Sequence, residues 1–142
     1  SQSAPSRFIA TASVAGLVSA PMSGPYNASK HAVVSICETL FQELKDRFPQ
    51  VGVSVICPGA VKTDILNLAK YDLNHGDSRF HSAMQKLMAE RGLNAQELVE
   101  LCLEQLDQGR FWIFPQNYVF DRYKARSEAI LNRLDPQWLP KS

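Results

Sequence analysis

No run of apolar residues in this sequence approaches the roughly 18 that a membrane-spanning helix requires, and the opening SQSAPSR lacks the apolar region of a secretory leader. Charge of one sign is equally scarce. Fifteen lysines and arginines stand against 14 aspartates and glutamates, a formal net charge of +1. That balance provides no basic field for nucleic acid and no attraction to an anionic membrane. Cysteine is rare: Cys37, Cys57 and Cys102 are odd in number and far apart. They fit free buried thiols in a reducing compartment better than a disulfide framework. His31, His75 and His81 offer none of the close ligand spacing of a Cys-His metal centre, so no metal is expected. NAS at Asn27 matches a glycosylation sequon, which without a signal peptide reads as accidental. Together these absences point to a cytoplasmic protein. The chain also opens without methionine, which suggests that residue 1 is not the natural start.

What is present is room for one modest domain with a real core, 142 residues at 45% hydrophobic and 20% charged. Three short apolar runs read as buried strands: RFIATAS (7–13), VGVSVICPG (51–59) and RFWIF (110–114). They are continuous rather than alternating, which suits parallel strands covered on both faces. Between the first two, Ala28, Ala32, Ile36, Leu40 and Leu44 recur every fourth residue, with Val33 and Phe41 widening the stripe. Ser23 is placed to cap this helix and Pro25 suits its first turn. Strand, helix, strand is the crossover unit of an open α/β sheet.

The second connection, 64–109, is too long for a plain crossover. It predicts a helix near 78–91, with Phe80, Met84, Leu87 and Met88 on one face, where the methionines read as packing. Another follows at 94–108, opened by the capping box NAQE and stopped at Gly109. A closing helix is expected over 118–134. In such sheets ligands bind at the carboxyl ends of the strands. Ser13 ends the first strand and PGAVKTD follows the second, so two unusual loops meet at one edge.

The stretch SGPYNASK sets Tyr26 and Lys30 one turn apart at the start of the long helix, on a shared face. A phenol is a poor proton donor or acceptor at neutral pH, and a nearby ammonium favours its ionised form. Such a pair can give a proton to a carbonyl oxygen or take one from an alcohol. A hydroxyl from another element would hold that oxygen in place. His31 lies on a different helix face and reads as structural.

TASVAG (11–16), YNASK (26–30) and CPGAVKTD (57–64) together resemble the second half of a classical short-chain dehydrogenase/reductase. Ser13 stands in the S-x-A-G context of that family, 13 residues before Tyr26. Tyr26 and Lys30 meet its Y-x-x-x-K, Pro58 and Gly59 its Pro-Gly turn, and Thr63 the threonine beyond. The likeness weakens after about Leu66. It implies the C-terminal half of a doubly wound, mostly parallel Rossmann-type sheet, with a helical substrate lid over about 64–109. It further implies an enzyme that interconverts an alcohol and a carbonyl with NAD or NADP. Tyr26 would be the general acid/base and Ser13 would orient the carbonyl. Lys30 would favour the phenolate form and bind the nicotinamide ribose. Pro58, Gly59, Val61 and Thr63 would contribute to the cofactor site. The partners expected are a small alcohol or carbonyl and further copies of the chain, as a homodimer or homotetramer through the long helix. The pocket would be lined by residues 18–22 and 65–91.

The glycines, at 16, 24, 52, 59, 76, 92 and 109, include no pair that forms the fingerprint turn for a pyrophosphate. The catalytic asparagine and N-N-A-G stretch of the family are absent too. The expectation is therefore one catalytic half-domain over 1–142, inactive by itself. Two other classes stand beside it. A sugar-nucleotide epimerase also uses Tyr-x-x-x-Lys, but the compact PGAVKTD turn argues against one. A non-catalytic dimerisation remnant would need none of Ser13, Tyr26 and Lys30.

Overall fold

The computed structural model describes residues 5–64 and 78–136. Its centre is a three-stranded parallel sheet in the order β1-β2-β3. Strand β1 (Ser6–Thr11) pairs with β2 (Val51–Ile56) from Ser6–Val51 through Thr11–Ile56. Strand β3 (Trp112–Ile113) pairs with the far edge of β2. Helix α1 (Gly24–Arg47) joins β1 to β2, and the long second connection carries α2 (Ser78–Arg91) and α3 (Ala95–Asp107). Helix α4 (Phe120–Leu131) follows β3. Both the α/β class and the parallel crossover expected from the sequence are observed.

Side-chain alternation on β2 separates two environments. Val53 and Val55, with Cys57 just beyond, pack against Val34 and Cys37 of α1 and against Ala12. On the reverse face Ser54 is fully buried yet satisfied: its hydroxyl accepts from Arg7 Nη1 at 2.8 Å and donates to the Arg110 carbonyl at 2.7 Å. A buried hydroxyl without such partners would cost more than the apolar residue it replaces gains. An aromatic chain, Phe41–Phe111–Trp112–Phe114–Phe120, with ring centres 4.9 to 5.8 Å apart, links α1 through β3 to α4.

Several element ends differ from the sequence expectation, each for a local reason. The first strand stops at Thr11 rather than 13, because the chain turns into a 3₁₀ helix at Val14–Gly16. The third strand is two residues long rather than five. The backbone N–H and C=O of Phe114 are both taken by the side-chain amide of Gln105 at 2.9 Å, and Pro115 has no N–H to offer. Ser23 precedes α1 as expected, but its side chain makes no capping bond, and Pro25 sets the first turn instead. The closing helix starts two residues late, at Phe120, and ends before Arg133, whose φ of 56° is left-handed.

The capping box at Asn94 and Glu97 is formed, and Gly109 takes the positive φ of 71° that favours glycine. Met84, Leu87 and Met88 are half-buried, in keeping with packing residues. Part of the expected lid, residues 65–77, lies outside the described residues. Among the described residues no helix is long and apolar enough to cross a membrane.

Candidate active site

Three loops meet at the carboxyl edge of the sheet. The first begins at Ser13, which is extended (φ −174°, ψ 163°) and caps the 3₁₀ turn, its Oγ accepting from the Ala15 amide at 3.1 Å. That bond uses a lone pair and leaves the hydroxyl proton free to be donated. Ser13 is 9% exposed, so little of it meets water. Gly16 makes the placement possible. A Cβ there would lie 2.7 Å from the Lys30 carbonyl oxygen and 2.8 Å from Val34 Cγ2, so only glycine lets this turn rest on α1.

Helix α1 supplies the next pair. Tyr26, in its first turn, is 45% exposed, and the Lys30 ammonium sits 5.7 Å from the centre of its ring. Lys30 Nζ also donates to the Thr11 carbonyl at 3.3 Å, tying α1 to the end of β1 and leaving further N–H donors for a ligand. Between them in sequence, Asn27 is only 6% exposed and donates to the Ala20 carbonyl at 2.7 Å. The NAS sequon is therefore not presented to solvent. His31 Nδ1 lies 2.9 Å from the Asn27 carbonyl, consistent with a structural histidine. Asn27 Oδ1 and His31 Nε2 are buried and without a partner among the described residues.

The loop after β2 is braced from both sides. The Pro58 carbonyl accepts from Val14 at 2.9 Å, which fastens this loop to the Ser13 turn. Gly59 N–H donates to Gln116 Oε1 at 2.8 Å, and Ala60 N–H to the Tyr118 hydroxyl at 2.7 Å. Gln116 Nε2 returns a bond to the Ala60 carbonyl at 2.6 Å. Gly59 leaves space for this, since a Cβ there would collide with the Tyr118 hydroxyl. Val61 bridges to Leu93, and Thr63 is exposed at the end of the loop. Gln116 and Tyr118 were not foreseen. The signal was available in PQNYV, a polar loop leaving the third strand at the same sheet edge.

The thiols take no part. Burial pushes Cys57 up to about 12, with Cys37 adding to the rise and a hydrogen bond from the Ser13 backbone opposing it. Burial raises Cys37 and Cys102 as well. A thiol held protonated is a poor nucleophile. Among the described residues no group of His, Cys, Asp and Glu could hold a metal.

Among the described residues, the hydroxyls of Ser13, Tyr26 and Thr63 and the Lys30 ammonium are hydrogen-bond donors carried by the loops after β1 and β2 and by the start of α1.

A family model for short chain dehydrogenase matches residues 2–73, the span that holds all of these donors. The chain belongs to this family. Within it, the NADPH-dependent 3-dehydrocapnine reductase of Ornithobacterium rhinotracheale is 33% identical over 121 residues, which are 84% of this chain and 40% of the reductase. The C alpha-dehydrogenase of a Sphingobium species is 25% identical over 138 residues, 93% of this chain and 45% of that enzyme. A solved short chain dehydrogenase/reductase from Burkholderia phymatum, in complex with NAD, superposes with a TM-score of 0.80 at 32% identity. That match covers 96% of this chain and 52% of the solved one. The chain thus spans about half the length, or less, of the relatives it matches. The Rossmann-type fold class read from the sequence is the fold of these family members.

Proposed function

We propose that the protein is an NAD- or NADP-dependent oxidoreductase that interconverts an alcohol and a carbonyl. Tyr26 acts as general acid/base, Ser13 orients the reacting oxygen, and Lys30 supports both tyrosine and cofactor. The observation that carries this reading is the joining of the Ser13 turn to both partners at once, to α1 through Gly16 and to the Pro58–Gly59 loop through the Val14 amide. The reductase and the NAD-bound structure among the relatives support the cofactor class.

When bound, a nicotinamide cofactor supplies or accepts the hydride. Tyr26 would give its hydroxyl proton to the carbonyl oxygen as that oxygen gains charge, or take it back from the alcohol. The free proton of Ser13 would donate to the same oxygen, and this fixed donor stabilises developing charge without reorganisation. Lys30, anchored on Thr11, would offer its remaining donors to ribose hydroxyls. Pro58, Gly59, Val61 and Thr63 would help hold the nicotinamide, on a loop that Gln116 and Tyr118 brace. The test uses NADH or NADPH carrying deuterium at the transferred position, the intact enzyme and a panel of ketones. Label appearing on the product carbinol carbon is expected, and its complete absence sinks the proposal.

Two further readings belong to the same proposal. Residues 1–142 by themselves do not catalyse the transfer, since the sequence has no glycine turn for the pyrophosphate and Phe8 and Ile9 on β1 are 45% and 46% exposed. Tight saturable binding of NADH or NADPH by this polypeptide alone, measured by calorimetry, would count against that. The intact enzyme assembles as a homodimer or homotetramer through α1, which leaves Ile36 exposed on its outer side. A monomer by sedimentation at micromolar concentration would rule the assembly out.

A further inference from the structure

Between Ser13 and Tyr26 the chain passes along a cavity of about 360 Å³. Val18 and Ser19 form one wall, and α4 with the residues after it forms the other, through Arg122, Arg126, Ile130 and Leu134. Arg122, Arg126 and Ile130 recur every fourth residue and so share one helix face. The wall on the Val18 side is not free to drift. The Asn27 side chain holds the Ala20 carbonyl at 2.7 Å, which fastens this loop to the first turn of α1 beside Tyr26.

Among the described residues that line the cavity, Arg122 and Arg126 are the charged groups, Ser19 adds a hydroxyl, and no carboxylate is present. Arg126 is half-buried and makes no hydrogen bond or ion pair among the described residues. Guanidinium stays charged at any ordinary pH, and its planar fork matches the two oxygens of a carboxylate. Taking such a charge part-way out of water without a partner is unfavourable. The acids of the same helix do not supply that partner: Glu128 faces Lys124 at 3.9 Å, and Asp121 is exposed. Asp135, beyond the helix, is exposed and does not line the cavity.

We infer that this cavity holds the carboxylate end of the substrate, with Arg126 as a specificity-determining residue. The substrate class is then a carbonyl or alcohol compound that bears a carboxylate on an apolar body. The carboxylate at Arg126 would fix which end of the molecule reaches Tyr26. This inference rests on the oxidoreductase reading above.

The experiment compares levulinate and its longer methyl-ketone homologues with their methyl esters, using the intact enzyme and its Arg126→Gln and Arg126→Lys variants. For the homologue that fits, kcat/KM for the acid should exceed that for the ester by at least about tenfold, as expected for a charge-assisted hydrogen bond. Arg126→Gln should bring the acid-to-ester ratio to near unity, and Arg126→Lys should keep part of it. The ratio is read within each variant, so a partly unfolded sample does not distort it. Calorimetric titration with the same acids and esters in the presence of cofactor gives a second readout, independent of turnover. If neither acids nor esters are reduced, the oxidoreductase reading fails, and the titration alone decides the cavity. Acid binding that disappears in Arg126→Gln supports the inference. Acid binding no tighter than ester binding, or a preference that survives Arg126→Gln, overturns it.

Discussion

The Lys30 ammonium lies 5.7 Å from the centre of the Tyr26 ring while donating to the Thr11 carbonyl at 3.3 Å. One side chain thereby links the proposed proton donor to the end of the strand beneath it. Tyr26→Phe removes the phenolic proton and changes almost nothing in packing, since the ring is 45% exposed. In the intact enzyme kcat should fall by roughly 10²–10⁴-fold, the usual size of general acid–base catalysis. Cofactor affinity, measured by fluorescence titration, should stay near the parent value. A variant that turns over at the parent rate would end the assignment.

Lys30→Met keeps most of the aliphatic stem and removes the charge and its donors. The expected result separates it from Tyr26→Phe: cofactor affinity should fall together with kcat. Loss of the anchor on Thr11 adds a small cost to stability, about 1 kcal/mol for one hydrogen bond from a charged donor near the surface. Unchanged cofactor affinity in the purified variant would leave Lys30 as a surface charge only.

Gly16→Ala places a methyl group against backbone, 2.7 Å from the Lys30 oxygen, where nothing flexible can yield. The turn must lift away from α1 and carry Ser13 with it. Denaturant unfolding should show a loss of about 1–3 kcal/mol, together with a lower kcat. Gly24→Ala is the control, because no atom lies within 4 Å of its added Cβ. It should be neutral or slightly stabilising at the start of a helix.

Gln116→Leu removes a side chain that accepts from Gly59 and donates to Ala60. The freed polar groups of the loop lose partners worth about 1–3 kcal/mol each where water cannot replace them. Because Gln116 touches the loop and not the proposed reacting atoms, KM for the cofactor should rise more than kcat falls. Equal effects on both constants would instead place Gln116 nearer the chemistry.

Cys57 makes a prediction in pH. Its thiol is pushed from 9.0 up to about 12 in the folded chain. The unfolded chain ionises first, so the protonated folded form is favoured fully below pH 9.0, and that advantage is lost as pH rises toward 12. Urea unfolding should give lower stability at pH about 10.5 than at pH about 8, and Cys57→Ala should show a shallower dependence. A thiol reagent should label Cys57 only after unfolding.

The strand–helix–strand unit was legible because its signals are local: VGVSVI is a continuous apolar run, and apolar residues recur every fourth position from Ala28 to Leu44. The capping box at Asn94 and Glu97 was legible for the same reason. The buried face of α1 was read less well, since Ala28, Ala32 and Ile36 are exposed while Val34 and Cys37 pack on the sheet. Ser13, Tyr26 and Lys30 were grouped through a family resemblance, and the structure places Ser13 in the turn after β1 and the other two at the start of α1. Gln116 and Tyr118 could not be named, since each acts on a backbone amide 57 or 58 residues away. PQNYV marks a polar loop at the same sheet edge, but the sequence does not say which amides its side chains reach. The sequon at Asn27 was read as accidental, and the burial of Asn27 against the Ala20 carbonyl agrees with that. The shortening of the third strand was invisible until Gln105 was seen to occupy its edge.

The long reach of that brace also orders events in time. Contacts distant in sequence form late, because a large loop must close before they return any free energy. The amides of Gly59 and Ala60 therefore acquire their partners only after Gln116 and Tyr118 have left the ribosome and docked. Until then the Pro58–Gly59 loop is a turn without its final shape, even with β1, α1 and β2 assembled. The final shape of the Pro58–Gly59 loop thus waits on a segment made more than 50 residues later. Any ligand gripping that loop would in turn favour the docked arrangement of the segment after β3.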